Sequence, residues 1–289
     1  MKNVIICLLI VITVSACSTN KYKAGVPRLT AIGIKGDSIP QYSFQYDTNG
    51  HLVEMTHRQA FNDTNVSTYS YNSSNRITGL VISNRDTNKV EERARVTSWD
   101  DDGNITRVQY FDAQEKPTRS ASIRWEKGLP AAMKYSDSTQ AVSWNYKEGN
   151  PERKDISVDT FAGKKEDALI TLRTTHYEWD DSINPLHPLL NQLLISHAVA
   201  PVIYLTPLGD LSNAFLHLST NNPFLVKITE KERSVYQQRI QEYERHTTVQ
   251  YAYSYSGNGY PSGAWVHLHS EGFTKLGSDT QFRVEYHYE

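Results

Sequence analysis

Apolar and polar positions follow two regimes along this chain. After an opening apolar run, most of it alternates with a period of two, as in Ser43-Phe44-Gln45-Tyr46 and Ile105-Thr106-Arg107-Val108-Gln109-Tyr110. That period sends successive side chains to opposite faces of a strand, one toward a core and one toward water. The chain ends the same way, in Gln281-Phe282-Arg283-Val284-Glu285-Tyr286-His287-Tyr288, which predicts a closing strand.

A recurring unit punctuates the strands: an aromatic residue, a short polar turn and an apolar restart. It appears at Tyr46-Asp47-Thr48-Asn49-Gly50, Tyr71-Asn72-Ser73-Ser74-Asn75 and Trp99-Asp100-Asp101-Asp102-Gly103. Further copies are Trp125-Glu126-Lys127-Gly128, Tyr146-Lys147-Glu148-Gly149, Trp179-Asp180-Asp181-Ser182 and Tyr255-Ser256-Gly257-Asn258-Gly259. Most units lie about 25 residues apart, room for two strands and two connections. Gly and Asn tolerate positive φ, and Asp or Asn side chains close the loop with their own hydrogen bonds, so each unit reads as a hairpin.

One stretch breaks the rhythm. Leu186, Leu189, Leu190, Leu193, Leu194 and Ala198 recur at helical spacing after Asn184-Pro185, which predicts an amphipathic helix over 186–198. A second helix is expected over 211–218, with Asp210 as N-cap and Asn221-Asn222-Pro223 as its stop. Residues 230–244 read two ways, since Tyr236, Ile240 and Tyr243 suit a helix, whereas the family resemblance given below implies a strand. Successive hairpins form one antiparallel sheet that must hide a face by curling into a half-barrel, closing into a barrel or taking a cover of helices. The expectation is a mainly β fold: an extended, twisted, partly curled sheet with the helices between 186 and 218 on its concave face. No Pro-, Gly- or Ser-rich linker interrupts residues 25–289, which are expected to form a single domain.

The opening run changes the picture of where the protein works. Met1-Lys2-Asn3, the apolar stretch Val4 to Val14 and then Ser15-Ala16-Cys17 have the charged head, apolar middle and small-residue cleavage site of a signal peptide. The apolar stretch is too short to span a bilayer, which takes about 20 residues. Val14-Ser15-Ala16-Cys17 resembles the bacterial lipobox, so residues 1–16 are expected to be removed, Cys17 to be lipidated and residues 17–24 to act as a tether. Partnership with a membrane through Cys17 follows. Cys7 and Cys17 are the two cysteines, so the mature domain is expected to hold no disulfide or thiol site.

Composition narrows the partners further. With 30 Lys and Arg against 32 Asp and Glu, the chain lacks the basic excess of a nucleic-acid-binding protein. The 18 Tyr, 8 Phe and 5 Trp suit half-buried pleated surfaces.

The aromatic-Asp-x-x-Gly units resemble the tyrosine-aspartate repeats of Rhs-type proteins. The lipobox, Asn184-Pro185, Ser219-Thr220-Asn221-Asn222-Pro223 with Lys227-Ile228, and Tyr255 with Tyr260-Pro261-Ser262-Gly263 together look more like a Bacteroidetes family of lipoproteins of unknown function, of the domain-of-unknown-function 4595 type. That resemblance implies an envelope lipoprotein with a hairpin-built β fold, and it supplies no catalytic residues. Ser18-Thr19-Asn20-Lys21 lacks the acidic residues that follow the lipidated Cys in surface-exported members, which favours the periplasmic face of the outer membrane.

Candidate chemistry is sparse. Asp100-Asp101-Asp102-Gly103-Asn104 has the composition of a calcium loop without its ligand spacing, and reads as a hairpin turn. His267 and His269 share a strand face and are weak metal candidates that lack a carboxylate at a recognisable spacing. No Gly-x-Ser-x-Gly elbow, phosphate loop or dinucleotide fingerprint is present, so no cofactor is nominated and an enzyme is a minority reading. Trp99, Trp125, Trp144, Trp179 and Trp265 could form a stacking surface or line a groove, though packing of the sheet is the plainer role. The expected function is non-catalytic binding or scaffolding in the envelope, with glycan, lipid or protein as candidate ligand. The alternatives are a lipid or lipoprotein carrier and a glycan-active enzyme with an unidentified acid pair.

Overall fold

The computed structural model describes residues 27–58, 64–137, 140–159, 168–196, 215–236, 239–272 and 278–289. The signal segment, Cys17 and the tether lie outside the described residues. Among the described residues the chain forms sixteen strands. They begin β1 (Leu29–Ile34), β2 (Tyr42–Tyr46), β3 (Leu52–Arg58), β4 (Thr64–Tyr71), β5 (Ile77–Asn84) and β6 (Val90–Trp99). There follow β7 (Ile105–Phe111), β8 (Pro117–Glu126), β9 (Leu129–Tyr135), β10 (Gln140–Lys147), β11 (Asn150–Asp159) and β12 (Ala168–Ile183). The last are β13 (Asn221–Tyr236), β14 (Arg239–Tyr255), β15 (Pro261–Gly272) and β16 (Ser278–Tyr288).

Each strand pairs antiparallel with its neighbours in sequence, and β1 pairs with β16 through Leu29↔Tyr288 to Ile34↔Val284, closing a barrel. The expected open, curled sheet is therefore corrected. Closure comes from the two ends of the domain meeting, and it removes both free edges. Of residues 230–244, the described ones, 230–236 and 239–244, are strand: β13 pairs with β12 on one side and with β14 on the other.

Seven connections gather at one rim, where β1 starts and β16 ends, and the repeat units sit there. Asp47 Oδ1 accepts the backbone N–H of Asn49 and His51 at 2.9 and 2.8 Å, and Asn72 Oδ1 does the same for Ser74 and Arg76. The third residue after the Asx occupies the left-handed region, Gly50 at φ 85° and Asn75 at φ 62°. This is the three-residue hairpin loop with a bulge. Trp179-Asp180-Asp181-Ser182 departs from the expected hairpin, because β12 continues to Ile183 and leads into the segment inside the barrel. A further copy went unread at Asp112-Ala113-Gln114-Glu115-Lys116, on the opposite rim: Asp112 Oδ1 accepts Gln114 and Lys116 N–H, and Glu115 takes φ 63°. Its Asx head was legible, but the missing Gly or Asn hid it.

The aromatic of the repeat has a specific task. Tyr46 Oη donates to Leu29 O at 3.0 Å, Tyr71 Oη to Leu52 O at 2.7 Å and Trp125 Nε1 to Ile105 O at 2.7 Å. Trp179 Nε1 donates to Pro151 O at 2.9 Å and Tyr288 Oη to Pro261 O at 2.8 Å. In every case an aromatic toward the rim end of one strand reaches the first or second residue of the strand before it. The two strands are joined only at the far rim, so the bond latches one hairpin turn to the next. Trp99 Nε1 and Tyr146 Oη hold the equivalent rim positions and are buried without a hydrogen-bond partner.

The core lies inside the barrel. Ile32, Leu52, Leu80, Ile105, Val108, Met133, Val249 and Val266 point inward, fully or almost fully buried. With them lies a segment that enters from the rim between β12 and β13. It runs through a 3₁₀ turn (His187–Leu189) into α1 (Leu190–Ile195), and returns through Phe215 to Leu218. Its contacts come from all sides of the wall. Tyr69 and Tyr110 donate to Gln192 O and Ile195 O, Phe215 packs on Tyr42 and Phe282, and His217 packs edge-on to Tyr177 and Tyr251. Partners on opposite walls can converge only if the segment plugs the lumen. The expected helix over 186–198 is thus shorter, with residues 197–198 outside the described residues. The expected helix over 211–218 is not seen at Phe215–Leu218, and 211–214 lie outside the described residues. Phe215, Leu216, His217 and Leu218 are all buried, so no amphipathic stripe is required of them.

Two motifs set 35 residues apart close the neck of the plug. Asn184 Nδ2 donates to His217 O, Ser219 O and Ser219 Oγ, and its Oδ1 accepts Leu186 N–H at 2.9 Å. Asn150 Oδ1 accepts the N–H of Thr220 and Asn221 from the side.

The latch predicts unequal consequences for two conservative changes. Tyr288→Phe leaves Pro261 O without its donor and is expected to cost about 1 to 2 kcal/mol. Tyr146→Phe removes a buried hydroxyl that has no partner and is expected to be neutral or stabilising. Urea unfolding of both variants checks this, and equal losses would count against the latch.

Candidate functional site

Strand register stacks the lumen in layers, and at the rim opposite the plug's neck the layers turn polar. Arg173 of β12, Glu230 of β13 and Arg245 of β14 are directly cross-paired. Arg173 Nε and Nη2 both donate to Glu230 Oε2, at 2.8 and 2.5 Å, and Arg245 Nη2 donates to Oε1 at 3.0 Å. All three residues are buried. One carboxylate between two guanidiniums satisfies both of its oxygens, as burial of charge requires.

Other ionisable groups border this triad. One layer nearer the neck, Lys154 of β11 is pushed down to about 7, first by burial and second by Arg173. On the far side Glu232 is held above the usual carboxylate range by burial, with Glu230 adding to the shift. Across the barrel Tyr42 Oη and His57 Nε2 lie 3.0 Å apart and the rings stack at 4.5 Å. Burial pushes His57 down to about 4, so the imidazole beside the phenol is neutral.

The tryptophans nominated from sequence do not share a surface. Trp144 is 4% exposed inside the barrel, Trp125 and Trp179 serve as rim latches, and Trp99 is half-buried against the core. Alternation turns four of the five toward the core or the rim, so the strands do not bring them together. Trp265, at 59% exposure, stands on the outer wall. His267 and His269 also lie on β15, and His267 Nε2 meets Asp279 Oδ1 of β16. Among the described residues no group of three His, Cys, Asp or Glu side chains converges as a metal site would require. Asp100 Oδ1 and Oδ2 take the N–H and Nδ2 of Asn104, which makes that acidic run a turn.

The feature that sequence reading missed is a concavity of about 560 Å³ on the outer wall. Asn145 of β10, Glu152 and Arg153 of β11, His176 and Glu178 of β12 and Lys227 of β13 line it. Cross-strand pairing puts Asn145, Arg153, His176 and Lys227 in one row. Register shifts that leave Glu152 of β11 and Phe224 of β13 as extra residues, opposite Asn145/Tyr146 and Glu178/Trp179, bend the sheet beside it. The row continues through Thr248 to His269, and the next row runs Glu178, Leu225, Gln250, His267, Gln281. Each residue taken alone looks like an ordinary solvated strand position, so only the register reveals the grouping.

No protein-family model and no curated protein matches the chain, so neither resemblance drawn from its motifs gains support there. Solved structures similar to it include a porin-like protein from Bacteroides uniformis ATCC 8492, at 14% identity and TM-score 0.49, covering 86% of this chain and 89% of that one. A porin-like protein from Bacteroides vulgatus ATCC 8482 is similar at 10% identity and TM-score 0.38, over 91% of this chain and 99% of that one. The TcdB2-TccC3 structure is similar at 10% identity and TM-score 0.26, over 91% of this chain and 15% of that one.

Two outcomes follow from the lumen. Glu230→Ala removes the carboxylate that two buried guanidiniums share and is expected to cost about 3 to 5 kcal/mol in urea unfolding; a loss under about 1 kcal/mol would show that the triad is solvated. For His57, the unfolded chain takes up its proton near pH 6.5 and the folded chain near pH 4. Its contribution is complete above pH 6.5 and falls away as the pH drops toward 4, by about 2 to 3 kcal/mol in all. His57→Phe is expected to lose that part of the acid dependence, as read from urea midpoints at pH 7, 5.5 and 4.5.

Proposed function

We propose that the mature chain, from Cys17 onward, is a lipid-tethered, non-catalytic binding or scaffold protein of the cell envelope. Its acyl chains hold it at the periplasmic face of the outer membrane, and the barrel stands in water. The observation that carries this reading is the sense of the alternation. Arg95 of β6, Arg124 of β8, Lys134 of β9, and Lys227 and Lys231 of β13 are exposed on the outer wall. A membrane-spanning barrel turns an apolar band about 25 Å tall to lipid, and each Arg or Lys at its midplane costs about 2 to 4 kcal/mol. A wall of this kind favours water, so membrane attachment must come from elsewhere, and the lipobox ending at Cys17 supplies it.

The filled lumen bears on the kind of role. Leu189, Leu193, Leu194 and Ile195 occupy the space that a carrier would offer to an acyl chain. A ligand is then met on the outside of the barrel, which favours binding or scaffolding over the carrier reading.

Cys17→Ala separates tether from barrel. The wild-type chain is expected in the membrane pellet, resistant to high salt and released by detergent, and the variant in the soluble fraction with an unchanged circular dichroism spectrum. If the variant stays in the pellet and resists carbonate extraction, the wall itself enters lipid and the proposal fails.

A further inference from the structure

We propose that the outer wall from β10 to β16 is a binding face for an uncharged oligosaccharide; this rests on the non-catalytic binding role and gives it a ligand class. The groove carries two acids, Glu152 and Glu178, and two bases, Arg153 and Lys227, so its charges cancel. A net-neutral groove selects neither an anion nor a cation. It offers donors and acceptors interleaved with the neutral amides of Asn145 and Gln250. Hydroxyl groups, which donate and accept at one atom, match such a set; a phosphate, a carboxylate or an ammonium matches half of it.

The same face supplies an apolar platform one row beyond the groove. Trp265 pairs directly with Ala252 across β14, and Gly263 is its neighbour along β15 on the same side. On the β14 side Ala252 gives the indole little cover, on the β16 side its cross-strand partner is Arg283, and Trp265 is 59% exposed. A side chain at 263 would crowd Val284 O at 3.0 Å and meet the Arg283 guanidinium, so Gly263 leaves that space to the guanidinium beside the indole. Phe224, 41% exposed, is the extra residue of β13 at the register shift against β12, next in sequence to Leu225 of the groove. Aromatic faces beside a hydrogen-bonding groove suit a sugar ring, which presents C–H on its faces and hydroxyls on its edge.

Other occupants fit less well. Extended peptides bind sheets by adding a strand to an open edge, and a closed barrel has none. An acyl chain would have to strip water from Arg153, Glu178 and Lys227.

The test uses the mature chain, Cys17 to Glu289, in solution without membrane. Titration calorimetry against maltoheptaose, cellohexaose, xylohexaose, mannohexaose and chitohexaose is expected to find binding to at least one. Trp265→Ala is expected to weaken that affinity at least tenfold while leaving the melting temperature unchanged, because the side chain is exposed. Glu178→Gln or Lys227→Ala is expected to weaken it about three- to tenfold, with the reducing-end analysis showing no cleavage. Absence of binding to every sugar at millimolar concentration, undiminished binding by Trp265→Ala, or a peptide that binds this face instead overturns the proposal. Because no lipid takes part, such a failure leaves the Cys17 tether standing, and a failed tether leaves this result standing; cleavage of the sugar sinks the non-catalytic role alone.

Discussion

The fold depends on satisfying main-chain carbonyls at a rim where every second pair of adjacent strands has no connecting turn. β1 and β2, or β7 and β8, are covalently joined only at the far end, and their near ends belong to different hairpins. A carbonyl there, at Leu29 or Ile105, would open to water or to a neighbour's movement. The rim aromatics close that gap with one donor each, at 2.7 to 3.0 Å in the five bonds formed. The same ring buries apolar area against the core while its polar tip reaches the backbone, a combination that Tyr and Trp provide and Phe does not. The repeat is thus a unit of turn plus latch, each copy fixing its own hairpin and docking it to the preceding one.

A barrel of this many strands faces a second difficulty: the wall alone does not fill its interior. The insertion between β12 and β13 resolves it by folding inward, and its neck is pinned by amides. Asn184, Asn150 and Asn222 spend their side chains on backbone groups of 182–186 and 217–221, where the chain turns sharply and no strand ladder can serve. Below the plug the filling changes character, and Arg173, Glu230 and Arg245 replace aliphatic residues. A charged layer costs more to bury than leucine would, and its return is directional: a carboxylate shared by two guanidiniums fixes how β12, β13 and β14 sit against one another.

The turns, the alternating strands and the aromatic heading each unit were legible because their causes are local: φ at one residue, hydrogen bonds across four, a period of two. Asp47, Asn72 and Asp100 announce their turns in sequence and make them in space. Closure was not legible, since it rests on β1 meeting β16 from the other end of the chain, and no local pattern encodes that encounter. Tyr236, Ile240 and Tyr243 give a false helical spacing because they lie on two long strands, β13 and β14, whose cross-strand pairing overrides periodicity. The plug was half legible. Its leucines declared a helix, whereas Phe215 to Leu218, enclosed on every side, had no reason to show any period at all. The outer groove could not be read, because Arg153, His176 and Lys227 come from three strands and become neighbours only through register.

These constraints bear jointly on where recognition can occur. Closing the sheet abolishes the edges on which backbone pairing with a partner would rest, and plugging the lumen removes the cavity that a barrel ordinarily offers. What remains is the wall, where a β surface sets the residues of each row about 4.8 Å apart from strand to strand. A row reads as recognition rather than as solvation when it departs from the surrounding mixture of single charges. β10 to β16 depart in that way: the charges of Glu152, Arg153, Glu178 and Lys227, spread over two adjacent rows and a bulge, cancel within the groove, and the row beyond them exposes the Trp265 indole beside Ala252. Packing does not explain an exposed Trp on a wall whose other tryptophans are turned to the core or the rim, so its position is accounted for by what it faces in solution.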